Sequence, residues 1–323
     1  MYKKLKRKKG KSMKVIYGSD KKIELKKPTG IGLGNFDGLH IAHMALINTL
    51  IGESKQGSLE SVLYTFNKHP ENIIRKKLFT PLITSVNKKV QLLELTGLDY
   101  IYFQEFDESF SRMSPEVFVR DILVNILNMK LAVTGYDYRF GYKGQGDVDY
   151  LKELGQKYNY KVITIPEIKV NEDIISSTLV RKHVKKGDMH SAFKLLGRHY
   201  SIKGIVERGK RIGFTLGFPT ANIYPKEYLL MPTDGVYVTR TLLKGKMYNS
   251  ITNIGKNPTF SNREKSIETY ILDYEGDIYG KDIEVFFLKK IRGEKKFAGK
   301  DELIMQIKKD IESARKYFSG LKI

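Results

Sequence analysis

The chain has 323 residues, enough for two domains of ordinary size, and its composition, 41% apolar and 29% charged, is that of a folded globular protein. No apolar run nears the ~20 residues of a membrane span. The absence of cysteine excludes disulfides and thiolate metal centres and agrees with a cytoplasmic enzyme. The formal charge of +21 attracts polyanions, from triphosphates to nucleic acid.

MYKKLKRKKGKS holds seven of the basic residues and no acid, so residues 1–12 read as a solvated, disordered arm. TGIGLGNF predicts a short strand, with Ile31 and Leu33 on one face and Gly30 and Gly32 on the other. HMALINTLIGES follows as a helix, with Leu46, Ile47, Leu50 and Ile51 at helical spacing. SVLYTF is a strand, VNKKVQLLELTG a helix closed by glycine, and DYIYFQEF alternates. In SPEVFVRDILVNILN, Ser114 is the expected N-cap and Pro115 the first helical residue. KLAVTG, DYLKELGQKYN and KVITIP then give strand, helix and strand. This alternation predicts a parallel, doubly wound α/β sheet. Ligands of such sheets sit beyond the carboxyl ends of the strands, where GNFDGLH and GYDYRFG fall.

After KKGDMHSAFKLLGRHY the character changes. SIKGIVERG, GVYVTRTLL, YNSITNIG, SIETYILDY and IEVFFLKKI are short β-rich runs separated by glycine-bearing turns. An antiparallel barrel or sandwich is expected. One terminal helix ends it, DELIMQIKKDIESARKYF, with an apolar stripe of Leu303, Ile307, Ile311, Ala314 and Phe318. The boundary falls near residues 186–195, giving domains 13–186 and 187–323.

Three stretches carry candidate chemistry. GNFDGLHIAH places His40 and His43 at a strand-to-helix turn, where backbone N–H groups and positive potential favour an anion. Phosphate binding and plain packing both fit the pair, whereas zinc needs further ligands that HxxH does not supply. In GKRIGFTLGFPTANI, the glycines at 209, 213 and 217 let the backbone approach a polyphosphate, while PTAN on its own reads as a turn. Glu268 shares a strand face with Tyr270, and a lone strand glutamate ordinarily faces solvent. No aromatic RNA motif or Cys/His finger accompanies the basic composition, so charge alone does not make a nucleic-acid binder.

Residues 34–43 resemble the GxFDGxHxGH signature of nucleotidylyltransferases. LYTFNKHP, GYDYRFGYKGQGD and ISSTLVR resemble, in order, further motifs of the FMN adenylyltransferase module of bacterial bifunctional riboflavin kinase/FAD synthetases. GRHYSIKGIVERGKRIGFTLGFPTANI, GVYV, NIGKNPTF and IETYILDYEGDIYGKDIEV are similar to the riboflavin kinase module. The resemblance covers Met13 to the C-terminus. It implies a nucleotidylyltransferase domain on the parallel sheet and a riboflavin kinase domain on the barrel. ATP, riboflavin and FMN would be substrates, FAD the final product, and Mg²⁺ the cofactor.

Residue by residue, the resemblance implies that Gly34, Asn35, Phe36, His40 and His43 engage ATP phosphates. Ser177, Thr178 and Arg181 would hold phosphate groups, and Asp137 would lie against the nucleotide. In the second domain it implies phosphate contacts at Gly209 and Gly213, Mg²⁺–ATP at Thr220 and Asn222, and Glu268 as the base for the riboflavin 5′-hydroxyl. Three positions depart from the pattern: Ala42 for glycine, Phe214 for a usual arginine, and His199 for proline. Ala42 motivates one rival reading, a kinase whose adenylyltransferase half has weakened; the charge motivates another, an RNA-binding protein reusing the fold.

Overall fold

The computed structural model describes residues 12–18, 25–75, 79–208, 216–225, 227–255 and 265–320. The basic arm up to Lys11, together with Gly209, Gly213 and Phe214, lies outside the described residues. Backbone contacts divide the chain into two units, Met1–Ser177 and Thr178–Ile323. Residues 178–186 therefore group with the second unit, although their motif reads with the first.

The first unit is a six-stranded sheet of β1 (Lys14–Tyr17), β2 (Thr29–Leu33), β3 (Glu60–Phe66), β4 (Tyr100–Gln104), β5 (Met129–Gly135) and β6 (Lys161–Ile165). The spatial order is β1-β4-β3-β2-β5-β6, and every pair is parallel. The expected doubly wound sheet is present, with a core on each face. Ile31, Leu33, Tyr64, Phe118 and Leu123 belong to one; Leu46, Ile47, Leu50, Leu63 and Ile101 belong to the other. Burying a leucine such as Leu50 fully contributes about 2 kcal/mol.

Helix α1 (Ile41–Gln56) lies on β2 because Gly30 and Gly32 carry no side chain toward it. A Cβ at Gly30 would stand 2.2 Å from Ser54 Oγ, and one at Gly32 would stand 3.0 Å from Leu50. The helix begins two residues before the expected HMALINTLIGES, because His40 itself caps it. The other helices of this unit are α2 (Pro70–Ile74), α3 (Val86–Leu93), α4 (Glu108–Ser111), α5 (Pro115–Val117) and α6 (Val148–Tyr158). Ser114 caps α5 and Pro115 opens it, as expected, but the chain continues as a wider π-helical stretch, Phe118–Ile126. That winding buries Phe118, Val119, Ile122 and Leu123 together. A small hairpin of β7 (Lys169–Val170) and β8 (Asp173–Ile174) follows β6.

In the second unit α7 (Ser177–Lys186, from Thr178 on) and α8 (Met189–Leu196) precede a barrel. Its strands are β9 (Tyr200–Glu207), β10 (Ala221–Ile223), β11 (Gly235–Leu243), β12 (Lys246–Gly255), β13 (Ser266–Ile271) and β14 (Asp282–Arg292). They pair antiparallel in the order β10-β13-β12-β11-β14-β9, and β10 closes the ring on β9. Between barrel and sandwich, the barrel is found. PTAN is not simply a turn: Ala221 and Asn222 enter β10, held by pairing with β9 and β13. Inside, Thr239, Thr241, Ser250, Thr252 and Thr269 satisfy one another through hydroxyl hydrogen bonds of 2.8–2.9 Å. The terminal helix α9 (Lys300–Ser319) packs Ile311, Ala314 and Phe318 against Val238, Ile251 and Leu272.

Candidate active sites

The order of the sheet locates the first site. From β2 the chain moves to β3 and β4 on one side, then returns to β5 on the other. Such a reversal opens a crevice at the carboxyl ends of the strands, between the loops that follow β2 and β5. Gly34–His40 is the first of these loops, and Tyr136 and Asp137 begin the second.

The loop after β2 is tightly wound. Phe36, Gly38 and Leu39 have φ of 46°, 92° and 42°, and at Phe36 and Leu39 this left-handed conformation carries strain. Three anchors hold it. The buried Asp37 carboxylate accepts the Ile83 N–H at 3.0 and 3.1 Å and the Thr84 N–H at 3.3 Å. Thr65 Oγ1 donates to the Asn35 carbonyl at 2.8 Å, and the buried Lys89 ammonium donates to the same carbonyl at 3.1 Å. Ser177 Oγ donates to the Asp37 carbonyl at 2.8 Å. Asp37 stands within the GxFDGxHxGH signature without a role read from the sequence, and Lys89 stands outside every quoted motif.

His40 Nδ1 accepts the N–H of His43 as the N-cap of α1, and Phe36 meets the His43 ring edge-on at 5.2 Å. An Nδ1 that accepts leaves the proton on Nε2 in neutral His40. The pair thus stands at a helix N-terminus, an arrangement suited to anions.

These groups line a cavity of about 520 Å³. Gly34, Asn35, Phe36, His40, Ala42 and His43 form one wall, with Asp137 and Ser177 also facing it. Thr178, exposed, and Arg181, half-buried, follow on α7 within the second unit. An aromatic wall also lines it: Phe66, Phe106 and Phe110 meet edge-on at 5.4–5.9 Å, and Tyr138 stacks on Phe140 at 5.5 Å. Burial pushes the Tyr64 hydroxyl well above its ordinary pKa, helped by Tyr102 and Tyr138, and burial raises Tyr138 too. Both remain neutral at any physiological pH. Sequence reading missed this wall, although QEFDESF and DYRFG carry the signal.

In the second unit Glu268 stands mid-strand on β13, with Asn222 opposite it on β10 and Asn253 opposite it on β12. Directly opposed residues share a sheet face with Cβ atoms ~5 Å apart. Glu268 is half-buried rather than simply solvent-facing, and Ser266 Oγ donates to its Oε1 at 3.3 Å. Asn222 is 7% exposed, and its amide reaches the Thr220 carbonyl at 3.4 Å. Glu268 and Thr220 line a cavity of about 610 Å³ roofed by Leu303 and Ile307 of α9. At its rim Arg292 grips the buried Asp310 carboxylate with both Nε and Nη2, at 2.8–3.0 Å.

The oxygen donors of Thr220 and Asn222 fit Mg²⁺ brought on a nucleotide. Among the described residues no group of three or more His, Asp or Glu forms a resident metal cage. None of their helices is long and apolar enough to cross a membrane.

Comparison with known proteins gives the same division. Residues 22–179 match the family model of FAD synthetase, and residues 196–318 match that of riboflavin kinase. Relatives named bifunctional riboflavin kinase/FMN adenylyltransferase include one from Buchnera aphidicola subsp. Schizaphis graminum, 36% identical over 95% of this chain and 99% of its own. One from Bacillus subtilis is 35% identical over 90% and 93%, and one from Escherichia coli K12 is 34% identical over 88% and 91%. A Streptococcus pneumoniae crystal structure, described as a macrolide-efflux protein, superposes with a TM-score of 0.84 at 30% identity, covering 93% of this chain and 98% of that one.

Proposed function

Because this chain belongs to the bifunctional riboflavin kinase/FMN adenylyltransferase family, we propose that its two cavities divide the two steps of flavin cofactor synthesis. ATP phosphorylates riboflavin to FMN in the barrel unit. A second ATP adenylylates FMN to FAD, with release of pyrophosphate, in the parallel-sheet unit. The chain works as a cytoplasmic enzyme on these small molecules.

The observation that carries this reading is the contrast between the two centres. Riboflavin arrives as a neutral alcohol, which gains from a general base. Glu268 lines its cavity together with Thr220 and is flanked across the sheet by Asn222 and Asn253. It takes the 5′-hydroxyl proton as that oxygen attacks the γ-phosphorus and ADP leaves. Thr220 and Asn222 would hold Mg²⁺, which neutralises charge on the phosphates when bound.

FMN arrives as an anionic phosphate and needs no base to attack the α-phosphorus of ATP. The first cavity accordingly offers donors. The α1 N-terminus, the His40 Nε2–H and His43 face the charge that develops as pyrophosphate leaves. Gly34, Asn35 and Phe36 hold phosphate through the backbone, Asp137 faces the nucleotide, and Ser177 supplies a further phosphate contact. The aromatic wall suits the flat flavin ring, whose stacking needs no charge. Ala42 lies on the cavity wall and adds one methyl there.

Supplying the substrates separately tests the assignment. Riboflavin with MgATP should give FMN and ADP, and FMN with MgATP should give FAD and pyrophosphate. Failure of either reaction removes the corresponding half of the reading.

A further inference from the structure

Lys89 is 3% exposed, and its ammonium lies 3.1 Å from the Asn35 carbonyl oxygen and 3.2 Å from Thr65 Oγ1. Thr65 Oγ1 itself donates to that carbonyl at 2.8 Å. One peptide oxygen therefore receives a cation and a hydroxyl together, beneath the wall that carries His40 and His43. Burying an ammonium is costly, and a surface-type lysine gains nothing from it. Part of that cost is offset at the Asn35 carbonyl, in the strained loop where Phe36 has φ of 46° and Leu39 of 42°.

We propose that Lys89 is a positioning residue for adenylyl transfer. Its charge polarises and locks the Asn35–Phe36 peptide, so that the peptide's own N–H becomes a stronger, fixed donor to the phosphate chain. Hydrogen bonds polarise one another in series, and a charged donor roughly doubles the strength of its bond. A positive charge just below the wall also favours the dense negative charge of the leaving pyrophosphate. Lys89 touches no substrate; it acts through Asn35 and Phe36. The inference rests on the first cavity being the adenylyltransferase site.

The test compares full-length parent, Lys89→Met, Lys89→Arg and Thr65→Val. FAD formation from FMN and MgATP is measured for each, with riboflavin phosphorylation as the control in the other unit. Lys89→Met keeps length and loses charge, so kcat should fall ~10²-fold, the usual result of a small displacement in an active site. KM for FMN should stay within about twofold, because the aromatic wall is untouched. Lys89→Arg should recover part of the loss and Thr65→Val should show a smaller loss of the same kind. A purely structural lysine would instead raise KM and lower kcat together, with no recovery by arginine. FAD formation by Lys89→Met at the parental kcat overturns the proposal. Should Lys89→Met fail to fold, Thr65→Val decides, and an unchanged kcat there overturns it. If the parent makes no FAD, the reading of the cavity has failed. Calorimetric titration with pyrophosphate then judges Lys89 alone: about tenfold weaker binding by Lys89→Met supports it, and equal binding overturns it.

Discussion

His40 Nδ1 accepts the backbone N–H of His43 at 3.3 Å, and the two imidazoles stack with centroids 3.5 Å apart. One side chain thus caps the helix and lines the cavity, where the proposed function gives its Nε2 the role of donor. The two roles separate by substitution. His40→Ala loses both, lowering stability by about 1 kcal/mol and FAD formation by ~10²–10³-fold. Asparagine is among the best capping residues, so His40→Asn should recover the stability and not the rate. Thermal unfolding beside an FMN adenylylation assay checks this; recovery of both by asparagine would reduce His40 to a cap.

The Arg292–Asp310 pair ties α9 to the end of β14 at the rim of the kinase cavity. Asp310 is 2% exposed, and Gln306 Nε2 also donates to it at 3.0 Å. Arg292 is 22% exposed and can turn to water, so removing the carboxylate forfeits its charged hydrogen bonds, about 1.5–3 kcal/mol. Asp310→Ala should therefore lower the denaturant midpoint of the barrel unit and raise KM for riboflavin, since α9 roofs the cavity. A midpoint equal to the parent's would show that α9 is held by its apolar stripe alone.

His199 contributes a pH dependence. Burial, then the nearby positive charge of Arg240, holds its pKa below the ordinary 6.5. The unfolded chain therefore takes up this proton first as pH falls. The stability linked to neutral His199 is present above about pH 6.5 and is lost as pH drops toward its folded value. His199→Phe keeps a ring beside Phe193, whose centroid lies 4.6 Å away, and cannot titrate. Its denaturant midpoint should fall less than the parent's between about pH 7.5 and 5.5. Equal slopes for the two proteins would contradict this.

Metal removal should affect chemistry and not folding. With no resident carboxylate or imidazole cage among the described residues, dialysis against EDTA should leave the unfolding midpoint unchanged. Both activities should stop in EDTA and return with added Mg²⁺. A lowered midpoint would reveal a structural metal.

Much of the fold was legible because its signals are local. Alternating apolar strands and capped amphipathic helices mark β2 to β6, and Ser114 with Pro115 marked a helix start that the structure reproduces. What escaped depends on partners distant in sequence. β10 has three residues and exists through pairing with β9 and β13, so its local Pro, Thr and Asn spoke for a turn. Lys89 shares the helical stripe of Val86 and Leu93, but what its ammonium does there depends on the approach of Asn35 and Thr65. Phe106 and Phe110 lie around a short helix among acids and serines, and they become a wall only when Phe66 meets them. The histidine pair and Glu268 were found through motif resemblance. Their bare patterns left packing, phosphate binding and solvent exposure open.

The proposed function puts two centres on one chain, one built on a carboxylate and one on imidazoles at a helix N-terminus. The most direct measurement follows riboflavin, FMN and FAD over time in one MgATP reaction with parent, Glu268→Gln and His43→Ala proteins. The parent should pass riboflavin through FMN to FAD. Glu268→Gln should lose ~10²–10⁴-fold in FMN formation yet convert supplied FMN to FAD at the parental rate. His43→Ala should form FMN normally and accumulate it. Loss of both steps in either variant, or undiminished flux through both, would contradict the account.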